Sequence, residues 1–176
     1  MVFAGMVLAR AAALYEKRGG RGLYANQTQF YEPAVGGDII RCDVVVSQEG
    51  AFYPFVEVPD YLIAMSQRAY DRYLAGTDRG TTFILDEDAV EAMPGRAHYG
   101  VPASRRAEEM GRGSSANMIM LGALIELSSI LSAESVMQAI AKASPSNKSA
   151  INKKAFSEGM NIGRAILESE IVEESG

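Results

Sequence analysis

Apolar residues crowd one place in this chain. Within the segment Ala116 to Leu127, ANMIMLGALIEL, every position from Met118 to Ile125 is apolar or glycine. A helix with one solvated side shows an apolar stripe at every third or fourth position, so a helix apolar all round belongs in a core or an interface. The run is too short to cross a bilayer, which takes roughly 20 apolar residues. Asn117 and Glu126 break it at opposite ends and, at about 100° per residue, fall on opposite faces. Asn117, at the start of so apolar a helix, is expected to be buried with its amide bonded to loop backbone. The preceding Gly111-Arg112-Gly113-Ser114-Ser115 turn is rich in glycine and hydroxyls, suited to a helix start.

Elsewhere the periods alternate. Met1 to Arg18 carries apolar residues at positions 2, 3, 6, 7, 11, 14 and 15, which is helical spacing; Lys17 and Arg18 suit its C-terminus and Gly19-Gly20 stop it. Leu23 to Thr28 reads as a strand, Gln29 to Asp38 as a loop, and Ile39 to Ser47 as a strand, with turns at Gly50 and Pro54. Asp60 to Met65 and Thr81 to Leu85 are short apolar runs typical of buried parallel strands, with a helix from Gln67 to Leu74 between them. Ala97 to Val101 is a further short strand, and Pro102 opens a helix. Then come a helix from Ser132 to Ala143, a break at Ser144-Pro145-Ser146, and a last helix from Ser149 to about Glu173. Alternating strands and helices followed by a helical third predict one α/β domain over residues 1–176. It is a Rossmann-like layered fold with a mostly parallel sheet flanked by helices.

With 48% hydrophobic residues in 176, the chain can bury a real core, and a net charge of -5 speaks against a nucleic-acid partner. No basic cluster suggests a membrane surface. There is one cysteine, Cys42, and one histidine, His98, so neither a disulfide, an iron–sulfur cluster nor an ordinary zinc site can be built from this chain alone. Cys42 lies in an apolar strand and reads as an inert thiol; His98 reads as structural. An unpaired thiol and a start without a basic n-region fit a cytoplasmic setting. Asp86-Glu87-Asp88 lacks the alternation and glycine of a calcium loop and reads as a solvated acidic cluster that starts a helix. Gly19-Gly20-Arg21-Gly22 opens into a strand rather than a helix, so it is a turn and not a phosphate loop. The G-x-G-x-x-G fingerprint of a stand-alone dehydrogenase is absent from the sequence.

Three ordered motifs carry a resemblance. Val101-Pro102-Ala103 with Ala107-Glu108-Glu109-Met110-Gly111, then Asn117, Leu121 and Gly122, then Asn152, Ala155, Phe156 and Gly159 resemble the gamma subunit of the 2-oxoacid:ferredoxin oxidoreductases, closest to the 2-oxoglutarate type. Tyr31, Pro33, Gly36 and Gly37 match a loop segment of that family, and the loop reads equally as a plain surface loop or as one that faces partner subunits. Glu32 stands there in place of a glycine and Val35 in place of an arginine. The family also has a strand and a glycine-rich turn directly before the helix that here begins near Val2, a pair that the sequence from Met1 does not include.

The resemblance implies a non-catalytic part of a multi-subunit enzyme that converts a 2-oxoacid and coenzyme A into an acyl-CoA, reducing ferredoxin. Alpha, beta and delta type partners would hold thiamine diphosphate, magnesium and the iron–sulfur clusters, and the isolated chain would bind no cofactor and be inactive. The 111–115 turn reads either as an ordinary helix cap with Arg112 in solvent or, through its glycines, hydroxyls and helix start, as a place for the coenzyme A phosphates near Arg112, Gly113, Ser114 and Ser115; Asn117 and Asn152 read as structural. The competing reading is an independent small-molecule-binding or structural α/β protein that forms its own homodimer.

Overall fold

The computed structural model describes residues 1–14, 23–33, 39–49 and 53–174, with side chains as far as 169. The expected stop at Gly19-Gly20 and the residues Val35, Gly36 and Gly37 lie outside that set. Helix α1 covers Val2–Leu14, and β1 (Tyr24–Glu32) and β2 (Ile39–Ser47) follow. Next come β3 (Tyr61–Ala64), α2 (Gln67–Leu74), β4 (Thr82–Asp86) and β5 (Tyr99–Val101). Helices α3 (Ala103–Glu109), α4 (Ala116–Ser128), α5 (Ala133–Ala143) and α6 (Ser146–Glu174) complete the order, with a 3-10 turn at Gly113–Ser115 before α4.

The parallel sheet is confirmed at β3, β4 and β5, in that order. The first two strands depart from the expected pattern. They form a separate antiparallel ribbon in continuous register from Tyr24↔Ser47 to Glu32↔Ile39. The loop expected from Gln29 therefore begins only after Glu32. The sequence QTQFYE alternates across a ribbon, and two aromatics outweigh the turn signal of Pro33 downstream.

Local chemistry starts and stops the helices. Ser66 and Ser132 each cap a helix by accepting from the backbone N–H three residues on, at 3.4 and 3.2 Å. Helix α3 is capped from a distance. The Asp86 carboxylate, fully buried, accepts from the Ser104 N–H at 3.2 Å and its hydroxyl at 2.6 Å, and Asp88 accepts from the Arg105 N–H at 2.9 Å. This corrects the reading of a solvated cluster for Asp86 alone, since Glu87 and Asp88 are exposed as expected. The acids do start a helix, but across the β4–β5 turn, and Asp86 does so out of water. At its other end α3 stops on Gly111, whose φ of 75° admits paired bonds from the Gly111 and Arg112 N–H groups to Glu108 and Ala107.

Helix α4 is the centre of the main core, with Ala116 and every residue from Met118 to Ile125 buried. It crosses α6 backbone to backbone. A Cβ on Gly122 would fall inside the Phe156 carbonyl oxygen, and one on Gly159 inside the Ile119 carbonyl oxygen. One on Gly163 would lie 2.9 Å from the Glu126 Cβ. Phe156 and Ala155 pack fully buried beside this crossing. Each glycine lets the axes approach where any side chain would hold them apart.

This crossing yields the first prediction. Gly159→Ala should destabilise the chain by about 3 kcal/mol, the upper range for overpacking, because rigid backbone rather than a flexible side chain must move. Urea unfolding should read the loss, and an unchanged midpoint would show that the helices can separate freely.

Candidate functional site

The residues named from sequence do not converge on one centre. At the 111–115 turn, Arg112 is half-buried and donates to the exposed Ser114 hydroxyl at 3.3 Å. The Glu108 side chain passes 3.9 Å from where a Gly113 Cβ would be. Ser115 is buried, and its hydroxyl has no hydrogen-bond partner among the described residues. Asn117 differs from expectation. It is half-buried, and no side-chain hydrogen bond of its own is seen among the described residues. The 3-10 turn explains this, since the Ser115 N–H already bonds the Arg112 carbonyl and the Ala116 N–H that of Gly113. Ser115 occupies the buried position at the helix start instead. Asn152 is buried and donates to the Ser144 hydroxyl at 3.0 Å, tying α6 to the end of α5. His98 is exposed, its Nδ1 3.0 Å from the Arg96 carbonyl oxygen.

Tyr31 is strongly exposed at 62%, and Pro33 is exposed beside it at the end of the ribbon. Glu32, between them, turns back to the body. It accepts from the Tyr73 hydroxyl at 2.8 Å and from Arg72 at 3.1 Å. These bonds, Tyr73 first, hold its carboxyl below the usual range, and Arg41 adds to the effect. Burial chiefly, with the Glu32 bond next, pushes the Tyr73 phenol up.

One step inward lies a cluster that the strand pattern concealed. Arg41 sits between the rings of Phe30 and Tyr73, at 5.0 and 5.1 Å from their centroids. It grips the buried Asp43 through two bonds of 2.5 and 2.6 Å and donates to the Val56 carbonyl at 2.9 Å. The Val56 N–H returns a bond to Asp43 at 3.2 Å. Arg41 and Asp43 stand two apart on one strand and so share a face, a sequence signal that could have disclosed the pair. The pair joins the ribbon to α2 and to the segment around Val56.

These groups form one end of a trough of about 1380 Å³ between the ribbon, α1, α4 and β3. It is not built for acid–base or nucleophilic work. Its Arg41, Asp43, Glu32 and Arg72 are paired among themselves. Cys42, half-buried, has its thiol pushed up by burial, against a smaller opposing effect from Gln27, so it stays protonated and a weak nucleophile. Among the described residues no group of three His, Cys, Asp or Glu side chains could hold a metal ion. No helix among them is long and apolar enough to cross a membrane.

Two predictions follow from the cluster. Arg41→Met should cost about 3 kcal/mol, because it leaves Asp43 buried without its counter-charge, and Arg41→Met with Asp43→Val should cost less than the single change. Equal losses for single and double forms, by chemical unfolding, would mean that Asp43 does not depend on Arg41. Glu32 has its folded pKa below the unfolded value, so its contribution is present above the unfolded pKa and lost as pH falls through the folded one. Glu32→Gln should therefore flatten the acid limb of the melting-temperature profile, and an unaltered limb would assign that limb to other groups.

The family described as pyruvate ferredoxin/flavodoxin oxidoreductase matches residues 1–162. The 2-oxoglutarate synthase subunit KorC of Methanocaldococcus jannaschii is 37% identical over 171 residues, covering 94% of this chain and 89% of that protein. The crystal structure of the keto/oxoacid ferredoxin oxidoreductase gamma subunit from Geobacter sulfurreducens superposes with a TM-score of 0.76 at 29% identity, over 93% of this chain and 91% of that one. The 2-oxoglutarate:ferredoxin oxidoreductase of Magnetococcus marinus, with 2-oxoglutarate, coenzyme A and succinyl-CoA bound, shares the fold at a TM-score of 0.70 and 24% identity, over 93% of this chain but 28% of that one. Matched by that family over residues 1–162 and 37% identical to one of its 2-oxoglutarate synthase subunits over most of both chains, the chain belongs to the pyruvate ferredoxin/flavodoxin oxidoreductase family.

Proposed function

We propose that this chain is the gamma subunit of a cytoplasmic 2-oxoacid:ferredoxin oxidoreductase that acts on 2-oxoglutarate. The observation that carries the reading is the 37% identity, over almost the whole of both chains, to a 2-oxoglutarate synthase subunit. The chain's own chemistry supports an accessory role. A single Cys and a single His do not fit an iron–sulfur cluster. In this reading the clusters and thiamine diphosphate belong to alpha, beta and delta type partners, with ferredoxin as acceptor. The exposed end of the ribbon, Tyr31 and Pro33, is the surface we assign to those partners.

Co-expression with the neighbouring gene products tests this. A stoichiometric complex with ferredoxin reduction dependent on 2-oxoglutarate and coenzyme A is expected, and the chain alone should be inactive. Turnover of pyruvate instead would overturn the substrate. A chain that stays a homodimer beside those products would support the independent α/β protein.

The 111–115 turn is the place we assign to the coenzyme A phosphates. One cation, an exposed hydroxyl and the start of α4 lie together there, which suits an anion, although Glu108 close by opposes it. In the assembled enzyme Arg112→Ala should raise the KM for coenzyme A several-fold and leave that for 2-oxoglutarate unchanged. An unaltered coenzyme A dependence would reduce the turn to the connection between α3 and α4.

A further inference from the structure

Exposed apolar side chains are not scattered over this chain. Among the described residues seven large hydrophobics are exposed, and six of them lie on the ribbon or on the segment from 53 to 58 beside it. The ribbon explains how. Its register puts Thr28, Phe30, Arg41 and Asp43 on one face, since paired residues and every second residue share a side. The 53–58 segment lies across that face. The Thr28 hydroxyl donates to the Pro54 carbonyl at 2.5 Å, Arg41 donates to the Val56 carbonyl, and the Val56 N–H donates to Asp43. Both backbone groups of Val56 are thus held by one ion pair.

A segment pinned so closely still keeps its apolar side chains outward. Tyr53 is 60% exposed, Phe55 44% and Val58 55%. The rings pack on one another: Tyr53 meets Phe55 edge on at 5.6 Å between centroids, and Phe55 meets Phe30 at 5.9 Å. The result is an aromatic platform whose rings are already ordered, which lowers the entropy lost on binding. Clustered exposed aromatics mark contact surfaces, where Tyr and Phe are enriched.

The charges beside the platform say what kind of surface it fits. Glu57 lies on the segment and Asp60 two residues beyond it, both exposed. Neither has an ion-pair partner among the described residues. Arg41 is committed to Asp43, and Arg72 to Glu32. A second copy of this chain would bring like carboxylates together across a two-fold axis, and an anionic lipid surface would meet the same repulsion.

We propose that the platform docks a cognate subunit of the enzyme, through an apolar patch on that subunit rimmed by lysine or arginine. The proposal rests on the reading of this chain as one part of a multi-subunit oxidoreductase. Its contact face is distinct from Tyr31, which alternates to the other side of the ribbon. The Arg41–Asp43 pair is then a positioning device. Desolvation makes such a pair a poor source of stability, but it fixes the segment that carries the rings.

Glu57→Lys and the double change Tyr53→Ser with Phe55→Ser test this in the full chain. Met93→Ser, at the exposed apolar residue away from the ribbon, is the control. Each purified form is titrated with the purified products of the neighbouring genes at two salt concentrations. The double change should weaken binding at least about tenfold, as loss of buried anchors does. Glu57→Lys should slow association and reduce its salt dependence, and Met93→Ser should bind as the unaltered chain does. All three should melt like the unaltered chain, because the changed side chains reach solvent. If the double change melts lower, Glu57→Lys decides. Unchanged binding by the variants, beside an unaltered chain that binds, would overturn the platform alone. An unaltered chain that binds none of those products would overturn the multi-subunit reading and the proposal with it. Self-association that the double change abolishes would give the platform to a second copy and also overturn it.

Discussion

Helices α4 and α6 cross backbone to backbone at Gly122 and Gly159, and Gly163 continues the contact against the Glu126 Cβ. That contact sets the depth of the core. With α6 so near, α4 is covered along its length, and its remaining faces are left for α1, α3 and β4. The parallel sheet rests on a helix that is already closed on one side. Widening the crossing by one methyl group would shift the surface on which everything else packs.

The crossing also explains why the family motifs take the form they do. Gly122 and Gly159, with Phe156 and Ala155 beside them, are among the residues that carry the resemblance, and all four belong to packing. Asn152, from the same motif, secures the α5–α6 corner. Packing residues of this kind identify a fold and say little about chemistry. The activity of relatives then depends on what they assemble, and the chain contributes a shaped surface.

How much could be read in advance depended on how local the cause was. Helix α4 was legible because eight consecutive apolar positions have one physical meaning. Ser66 and Ser132 mark their helices because a cap acts over three residues. The pairing of β1 with β2 was not legible, since no strand announces its partner's direction. Asp86 was misread because the groups it caps lie beyond β5, on α3. The Arg41–Asp43 pair was half visible as two charges on one face of an apolar strand. Its rings come from Phe30 and Tyr73, on different elements. At the 111–115 turn, composition favoured Asn117 as the buried polar residue. The extra 3-10 turn passed that position to Ser115.

The burial of α4 bears on how such a sequence can drift. From Met118 to Ile125 every residue is buried, so a polar replacement there has little outlet to solvent, and at Gly122 even alanine is barred. Helices α2 and α3 keep exposed charged faces, and at most of those positions exchange costs little. Lineages of this domain should therefore diverge by rewriting their outer helices around an almost unchanging central rod. Distant members would be told apart by their surfaces and known as kin by one buried helix.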